Sequence, residues 1–292
     1  MRYAFPLILA AALLSGCRIA PPPTQGYFGP TLPMTEVVAR VNQNNVALPT
    51  LFARHYVEAN LWDAQKKQYR FINADGDLFV RKPLELLMRG RKDIAGEVFE
   101  MGSDGERYWL KVFQNEDQEW WGWLRNAGKP CAQQMPVQPD LVGEVLGIGD
   151  INTDFLKAPV PTMRFNNDKD VYMFVWSAQL PDRWYAQKEI WYDRKTFLPL
   201  KVLLFDHDGR IILVANLTQH RPVNVGGGAA APQIATHYAL FFPETKSTMT
   251  IKLSDVAMLS KAGQPKPGMI RFREDPRIPP ERVIQIDKDC DK

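Results

Sequence analysis

The stretch from Gly76 to Met88, Gly-Asp-Leu-Phe-Val-Arg-Lys-Pro-Leu-Glu-Leu-Leu-Met, constrains this chain more than any other. Side chains on a strand alternate between two faces, so Leu78, Val80, Lys82, Leu84, Leu86 and Met88 share one side if the stretch is extended. That side is apolar except for one lysine. The stretch reads as one long strand bent at Pro83, which lacks the N–H a central ladder needs. Before it, Asn73-Ala74-Asp75-Gly76 reads as a turn, because glycine takes positive φ without a Cβ clash. A lysine among aliphatic neighbours must find an acceptor or extend to water, so the bland reading is a core face with a snorkelling lysine.

The same period of two recurs along most of the chain. Segments 54–62, 68–72, 96–101, 107–113 and 119–124 read as successive strands with short polar turns, and Ser103-Asp104-Gly105 is the clearest turn. Strands so connected make an antiparallel meander. A second set follows at 171–176, 188–192, 200–205, 211–217, 234–242 and 248–253, with a hairpin turn at Asp208-Gly209. Helical periodicity is confined to two places. Thr35 to Ala47 sets Val37, Val38, Val41 and Leu48 on one side, with Thr35 as the expected cap. Between the two strand sets, in a proline-rich connector, Leu141, Val142, Val145 and Leu146 share a helical face. Trp120, Trp121 and Trp123 are either a ligand platform or bulk for a strand buried on both sides.

The N-terminus carries an address. Arg2 supplies a positive charge, residues 3–14 an apolar segment too short to span a bilayer, and Leu14-Ser15-Gly16-Cys17 matches the bacterial lipoprotein signal pattern at every position. This resemblance implies removal of residues 1–16, diacylglycerol on the Cys17 sulfur, and a membrane anchor. Arg18, where an inner-membrane lipoprotein usually has Asp, resembles an outer-membrane address facing the periplasm. Residues 17–33 are rich in proline and glycine and read as a tether. Residues 34–260 then make the folded domain and 261–292 an irregular tail. With Cys17 acylated, Cys131 and Cys290 remain; an even remainder in an oxidising compartment favours a disulfide, the alternative being two free or buried thiols.

Gly76 to Met88, followed by Ser103-Asp104-Gly105-Glu106-Arg107-Tyr108-Trp109, resembles the start of the periplasmic lipoprotein-carrier family LolA/LolB. In that family a strand ending basic-basic-Pro precedes a Ser-Asp-Gly hairpin. The resemblance is close over about residues 34–124 and general beyond. It implies a mainly β, α+β fold: an incomplete antiparallel β-barrel wrapped around an apolar cavity, with a few helices as a lid. The implied ligands are acyl chains of a lipid or lipoprotein, held without chemistry or cofactor. The cavity would be lined by Leu78, Val80, Lys82, Leu84, Leu86, Met88, Tyr108 and Leu110, and the lid would carry Leu141, Val142, Val145 and Leu146. Lys82 takes the place where the family more often has an arginine bonded to the lid, and a lysine loses the planar fork.

Composition excludes several classes. The 292 residues carry a formal charge of +3 and are 45% hydrophobic and 11% aromatic, which excludes disorder. Without a lysine or arginine run, nucleic acid is not an expected partner. His55, His207, His220 and His237 are scattered, with no His-Glu-x-x-His or Cys-x-x-Cys spacing and no Gly-x-Ser-x-Gly elbow, so neither metal nor catalysis is expected. Two functions remain for what should be a monomer: an acyl-chain carrier or acceptor, and an envelope scaffold or stress sensor that holds a protein. Anchored acceptors of the family use a protruding apolar loop, whereas Arg89-Gly90-Arg91-Lys92-Asp93 would be a basic loop suited to headgroups.

Overall fold

The computed structural model describes residues 26–290, apart from 64–66, 93–95, 114–116, 128, 130, 133, 134, 136, 138, 226–230 and 259–269. Cys17, the signal and the first part of the tether lie outside the described residues, as does Asp93. Helix α1 (Met34–Asn45) precedes β1 (Thr50–Asp63), β2 (Gln68–Arg81), β3 (Glu85–Lys92), β4 (Gly96–Asp104), β5 (Arg107–Val112) and β6 (Gln118–Trp123). A single 3-10 turn (Leu124–Asn126) and helix α2 (Pro139–Val145) lead to β7 (Val160–Asn166), β8 (Val171–Gln179), β9 (Trp184–Asp193), β10 (Pro199–Phe205) and β11 (Ile211–Thr218). The short β12 (Arg221–Pro222) and β13 (Gln233–Ile234) come next, then β14 (His237–Phe242), β15 (Ser247–Ala257) and β16 (Val283–Gln285).

Fourteen strands form one sheet in the order β16-β6-β5-β4-β3-β2-β1-β15-β14-β11-β10-β9-β8-β7, and β12 pairs with β13 apart from it. Every neighbour in the large sheet is antiparallel except β16, which runs parallel to β6. The two halves of the chain join where β1 pairs with β15. The end strands β16 and β7 do not pair with each other, so the barrel is incomplete. The sheet nevertheless curls round: α2 touches β4 and β5 on one flank and β10 on the other, with six strands between β4 and β10 in the sheet order. A sheet this wide cannot stay flat, because each strand adds its own right-handed twist.

Register sets the two faces. Leu51, Ala53, Val57 and Ala59 of β1 lie opposite Val80, Leu78, Ala74 and Ile72 of β2, and these continue across the sheet through Leu86, Met88, Met101, Tyr108 and Leu110. In the second half the same inner face holds Tyr172, Phe174, Ile190, Tyr192, Val202, Ala215, Leu217, Tyr238, Leu240 and Ile251. Most of these are buried in one continuous core.

The stretch 76–88 is not one strand. Arg81 pairs with Glu85, so the chain reverses at Lys82-Pro83-Leu84 and makes a hairpin of β2 and β3. Val80 and Leu86, and Leu78 and Met88, are direct cross-strand partners and share a face for that reason rather than by continuous parity. Leu84 sits in the turn and is 51% exposed. The turn read at Asn73–Gly76 does not form, since β2 pairs without a break along the whole of β1. Gly76 is needed for close approach instead: a Cβ there would lie 1.7 Å from the Arg89 carbonyl oxygen. Arg89 to Lys92 belong to β3 rather than to a basic loop. Thr35 does not cap α1, which starts at Met34 behind Pro33 with no side-chain cap.

The tail is part of the fold. Ile270 and Phe272 pack on the outer face against Leu87 and Trp109, with Phe79 and Trp121 around them. β16 then extends the sheet beyond β6, and Cys131 and Cys290 are bonded. β7, most of which lies beyond the proline-rich connector and carries no strand expectation, is the opposite edge strand.

Candidate functional site

The apolar inner face of β2–β5 is the floor of the site. Leu78, Leu86, Met88, Tyr108 and Leu110 are buried and Val80 is half-buried, so six of the eight residues expected to line a cavity are brought together. Leu84 points elsewhere, and Lys82 leaves the floor at the turn. Tyr108 and Leu110 reach the floor from β5 through their pairing with Ser103 and Met101.

Two helices and a loop cover this floor. In α2, Val142, Val145 and Leu146 at its end are buried in the same core and Leu141 is half-buried against it. Gly143 faces Leu86, whose Cδ1 lies 4.0 Å from the place a Cβ would take. Helix α1 buries Val37, Val38 and Val41. The Leu32 N–H before it donates to Tyr172 Oη at 2.9 Å, and Lys82 meets its last residue. The cover is therefore apolar beneath and hung from the rim by polar groups.

Those polar groups are mostly asparagines. Asn42 Nδ2 donates to the Ile151 carbonyl and its Oδ1 accepts from the Ile151 N–H, both at 2.8 Å. Asn45 Nδ2 donates to the Gly149 carbonyl at 2.8 Å, and Asn44 makes the same two-way contact with the backbone of Gln233. The run Asn42-Gln43-Asn44-Asn45 thus stitches α1 to the loop after α2 and to β13. A side-chain amide can donate and accept at once, which suits pairing with a single backbone unit. Sequence reading missed this role; a helix ending in three asparagines was the signal that could have found it, because asparagine is a poor helix former with a strong local hydrogen-bonding side chain.

Lys82 completes the rim. Its ammonium donates to the Asn45 carbonyl at 2.5 Å and to Asp150 Oδ1 at 2.7 Å. The lysine so reaches the C-terminal end of α1 and the loop beyond α2 together. One of its two acceptors is a helix C-terminal carbonyl, which favours a cation. On the other flank, Lys188 of β9 pairs with Glu144 of α2 at 2.6 Å.

A row of four residues crosses the inner face beside the floor. His55 of β1 pairs with Gly76, Gly76 with Gly90, and Gly90 with Phe99. The imidazole reaches over both glycines to the Arg89 carbonyl, Nε2 to O 2.9 Å, and stacks on the Phe99 ring at 6.1 Å. Burial holds the His55 pKa below its ordinary value, against the bond to Arg89 and the charges of Asp77 and Asp75, which raise it. Because a carbonyl oxygen can only accept, Nε2 carries a proton in this bond.

The outer face of β4–β6 carries a different cluster under the tail. Lys111, buried, donates to Glu100 Oε1 at 3.3 Å and to the Arg273 carbonyl at 2.6 Å. Glu100 also accepts from Trp109 Nε1 and from Arg89. Burial raises the Glu100 pKa, but Lys111 and Arg89 outweigh it and hold the carboxyl below its usual value. Glu119, fully buried, is pushed up by desolvation, with Lys111 opposing. Trp121 and Trp123 stand on this face beside Phe272 and Arg107, and Trp120 packs into the inner core, so the three indoles divide between the faces and form no common platform.

Among the described residues no group of three or more His, Cys, Asp or Glu could hold a metal. No helix of the described chain is long and apolar enough to cross a membrane. A surface depression lined by Arg164, Phe165, Asn166, Asn167, Asp168 and Met173 lies by the β7–β8 turn, at the sheet edge and away from the β2–β5 floor.

No protein-family model and no curated protein matches the sequence. Among solved structures the chain is similar to a LolA superfamily protein from Nitrosomonas europaea, at 10% identity and TM-score 0.47, covering 79% of this chain and 95% of that one. It is similar to a DUF1329 family protein from Desulfovibrio piger, at 11% identity and TM-score 0.49, covering 80% and 95%. A domain ascribed to an outer membrane lipoprotein-sorting protein of Vibrio parahaemolyticus is 12% identical with TM-score 0.43, again covering 80% and 95%. The chain is thus distantly similar to LolA-like structures, and the roles in those names belong to those proteins.

Proposed function

We propose that this is a non-catalytic, lipid-anchored protein of the bacterial envelope that binds acyl chains of a lipid or lipoprotein between the β2–β5 floor and its helical cover. One observation carries the reading. The floor of Leu78, Leu86, Met88, Tyr108 and Leu110 is covered by short helices and a loop tied to the rim through hydrogen bonds and ion pairs at Asn42, Asn45, Lys82 and Lys188. Polar ties at a rim exchange with water at small net cost, whereas the apolar surfaces beneath need an apolar replacement when they part. An acyl chain is such a replacement. The motif resemblance around Gly76 to Met88 supports the same reading, and the signal ending at Cys17 supports the anchor.

The test is binding of a fluorescent fatty acid by the chain purified from residue 26 onward, with native mass spectrometry for co-purified lipid. Leu86→Glu should abolish binding and keep the fold, because a carboxylate beside acyl chains is poorly solvated. Leu86→Ala should weaken binding at a stability loss under about 2 kcal/mol, below the usual 2 to 5 for a closely packed leucine. A full core-leucine loss together with no lipid binding by the wild type would overturn the proposal.

A second reading, a scaffold that holds a protein partner, is favoured by one feature. Trp62, Tyr69, Phe71 and Phe241 are exposed near one end of the central strands, with Trp62 and Tyr69 in edge-to-face contact at 5.2 Å. Exposed aromatics of this kind are enriched at protein contacts.

A further inference from the structure

The segment that carries the lid is held at its two ends by different parts of the molecule. Its exit, residues 149–151, is tied to α1 and Lys82 as described above. Its entry, just after β6, is tied to the C-terminal segment. The Trp123 N–H and Asn126 Nδ2 both donate to Asp287 Oδ2, at 2.8 and 2.9 Å, and Gln285 Nε2 donates to Asp287 Oδ1 at 3.1 Å. Asp287 is fully buried, and these bonds hold its carboxyl below the ordinary value although burial alone would raise it. Lys129 donates to Asn126 Oδ1 at 2.8 Å, and two residues further on Cys131 is bonded to Cys290. From there the chain enters the core at Met135 and Val137 and begins α2 at Pro139.

The C-terminal segment that makes this tie joins the sheet as its edge strand. β16 has only three residues, pairs on one side, and each of the three is half-buried. Around it, Ile286 is buried in the main core with its N–H donating to the Trp121 carbonyl at 3.0 Å, Ile270, Phe272 and Ile278 are buried, Lys111 donates to the Arg273 carbonyl, Arg277 pairs with Glu97, and Asp287 makes the bonds given above. Local opening that starts at so short an edge strand has to break the Ile286 and Asp287 contacts before it reaches Cys290. The covalent bond at Cys290 prevents such opening from freeing the lid entry, and both cysteines are half-buried rather than enclosed.

We propose that the C-terminal segment is the fastener of the lid, and that thiol–disulfide exchange at Cys131–Cys290 unfastens it. In the exchange a dithiol attacks one sulfur of the bridge and the S–S bond breaks. Two electrons pass from the dithiol, which closes to its own disulfide, and its two protons end on Cys131 and Cys290 as thiols. The entry of the lid segment then loses its covalent tie and keeps the Asp287 bonds and the packing of Met135 and Val137, while the exit stays tied at Asn42, Asn45 and Lys82 and acts as the hinge. The consequence for ligand exchange rests on the acyl-binding reading; the fastening of the lid does not.

The experiment is hydrogen exchange on the full chain, oxidised and after dithiothreitol, with dissociation of a fluorescent fatty acid measured on the same samples. Amides of residues 139–151 should exchange at least about fivefold faster after reduction, the lower end of ordinary coupling between two sites, while those of β1 and β2 keep their rates. The Cys131→Ser/Cys290→Ser double variant should reproduce this without a reductant. Asp287→Ala, with the bridge intact, should give a smaller acceleration confined to the entry. Unchanged exchange at 139–151 would overturn the proposal, and so would equal acceleration in every strand, since the bridge would then hold the whole fold. If the lid loosens and the fatty acid leaves faster, both readings stand. If it loosens and no fatty acid binds either form, the fastener stands and the acyl-binding reading falls.

Discussion

His55 Nε2 donates to the Arg89 carbonyl oxygen, 2.9 Å away on a strand two places distant in the sheet, by passing over the backbone of Gly76. The imidazole occupies the space that a side chain at position 76 would need. Gly76→Ala would place its Cβ 1.7 Å from that same oxygen and 2.9 Å from His55 Nε2. Backbone cannot swing aside in a strand paired on both edges. The expected loss is at least about 2 kcal/mol, in the range of severe overpacking, read from the urea midpoint at constant m-value. Loss within about 0.5 kcal/mol would mean that β2 and β3 are free to move apart here.

The same histidine sets a pH dependence. Its folded-state pKa lies below the unfolded value of 6.5, and burial also depresses His220. Above 6.5 both states hold the rings neutral, and these groups add no slope. Below it the unfolded chain takes up protons that the folded chain refuses, so stability falls as pH drops from about 6.5 toward the folded pKa values. Each group contributes a slope of at most about 1.4 kcal/mol per pH unit. Urea midpoints should decline from pH 7.5 to 5.5, and His55→Gln should flatten part of the decline. An equal decline in the variant would assign it to other groups.

Lys82→Met keeps the stem of the side chain and removes the ammonium. The Asn45 carbonyl and Asp150 then lose a shared donor. A charge-assisted bond to a partly buried group contributes about 1.5 to 3 kcal/mol, and Asp150 is partly exposed, which lowers its share. We expect a loss of about 1 to 2 kcal/mol and faster amide exchange at the end of α1 and at 149–151. Lys82→Arg should recover most of it. If α1 is unaffected, the rim is held by the asparagines alone.

Lys111→Met should cost more than Lys82→Met, although it lies far from the proposed ligand. Lys111 is 4% exposed, and its loss leaves Glu100 with Arg89 and the Trp109 N–H as partners and Glu119 without the cation that opposes its desolvation. Breaking a buried pair by removing one partner typically costs about 3 to 5 kcal/mol. The C-terminal segment should loosen with it, because the Arg273 carbonyl loses its donor. Limited proteolysis between residues 258 and 283 reads that second effect.

Most of the strands were legible because period two is a local property. β1, β4, β5, β6, β8, β11 and β15 fall within a few residues of where alternation puts them. The residues brought to one face by β2 and β3 were also legible, although the reason was wrong. A bend at Pro83 and a reversal at Pro83 place Val80 and Leu86 on the same side, so the pattern alone does not separate them. Leu84 and Lys82 distinguish the two, since only a reversal leaves one in solvent and sends the other to a helix end. The short strands β7 and β16 were not legible, because neither carries an alternation that stands out in a segment full of prolines.

The sequence by itself determined the mainly β class, the inner face of the first half and the two amphipathic helices. These follow from side-chain alternation and helical spacing, which depend only on near neighbours along the chain. Tertiary structure alone decided that β2 runs straight through Asn73-Ala74-Asp75-Gly76. A long ladder with β1 outweighs a local turn preference, and His55 needs the space over Gly76. It alone decided where Lys82 and the asparagines of α1 find their partners, since those acceptors lie from 37 to 189 residues away in the chain. It also decided the use of the tail. Nothing local marks Ile270 and Phe272 as a cover for Trp109; they become one because the meander leaves its outer aromatics uncovered until the last residues return.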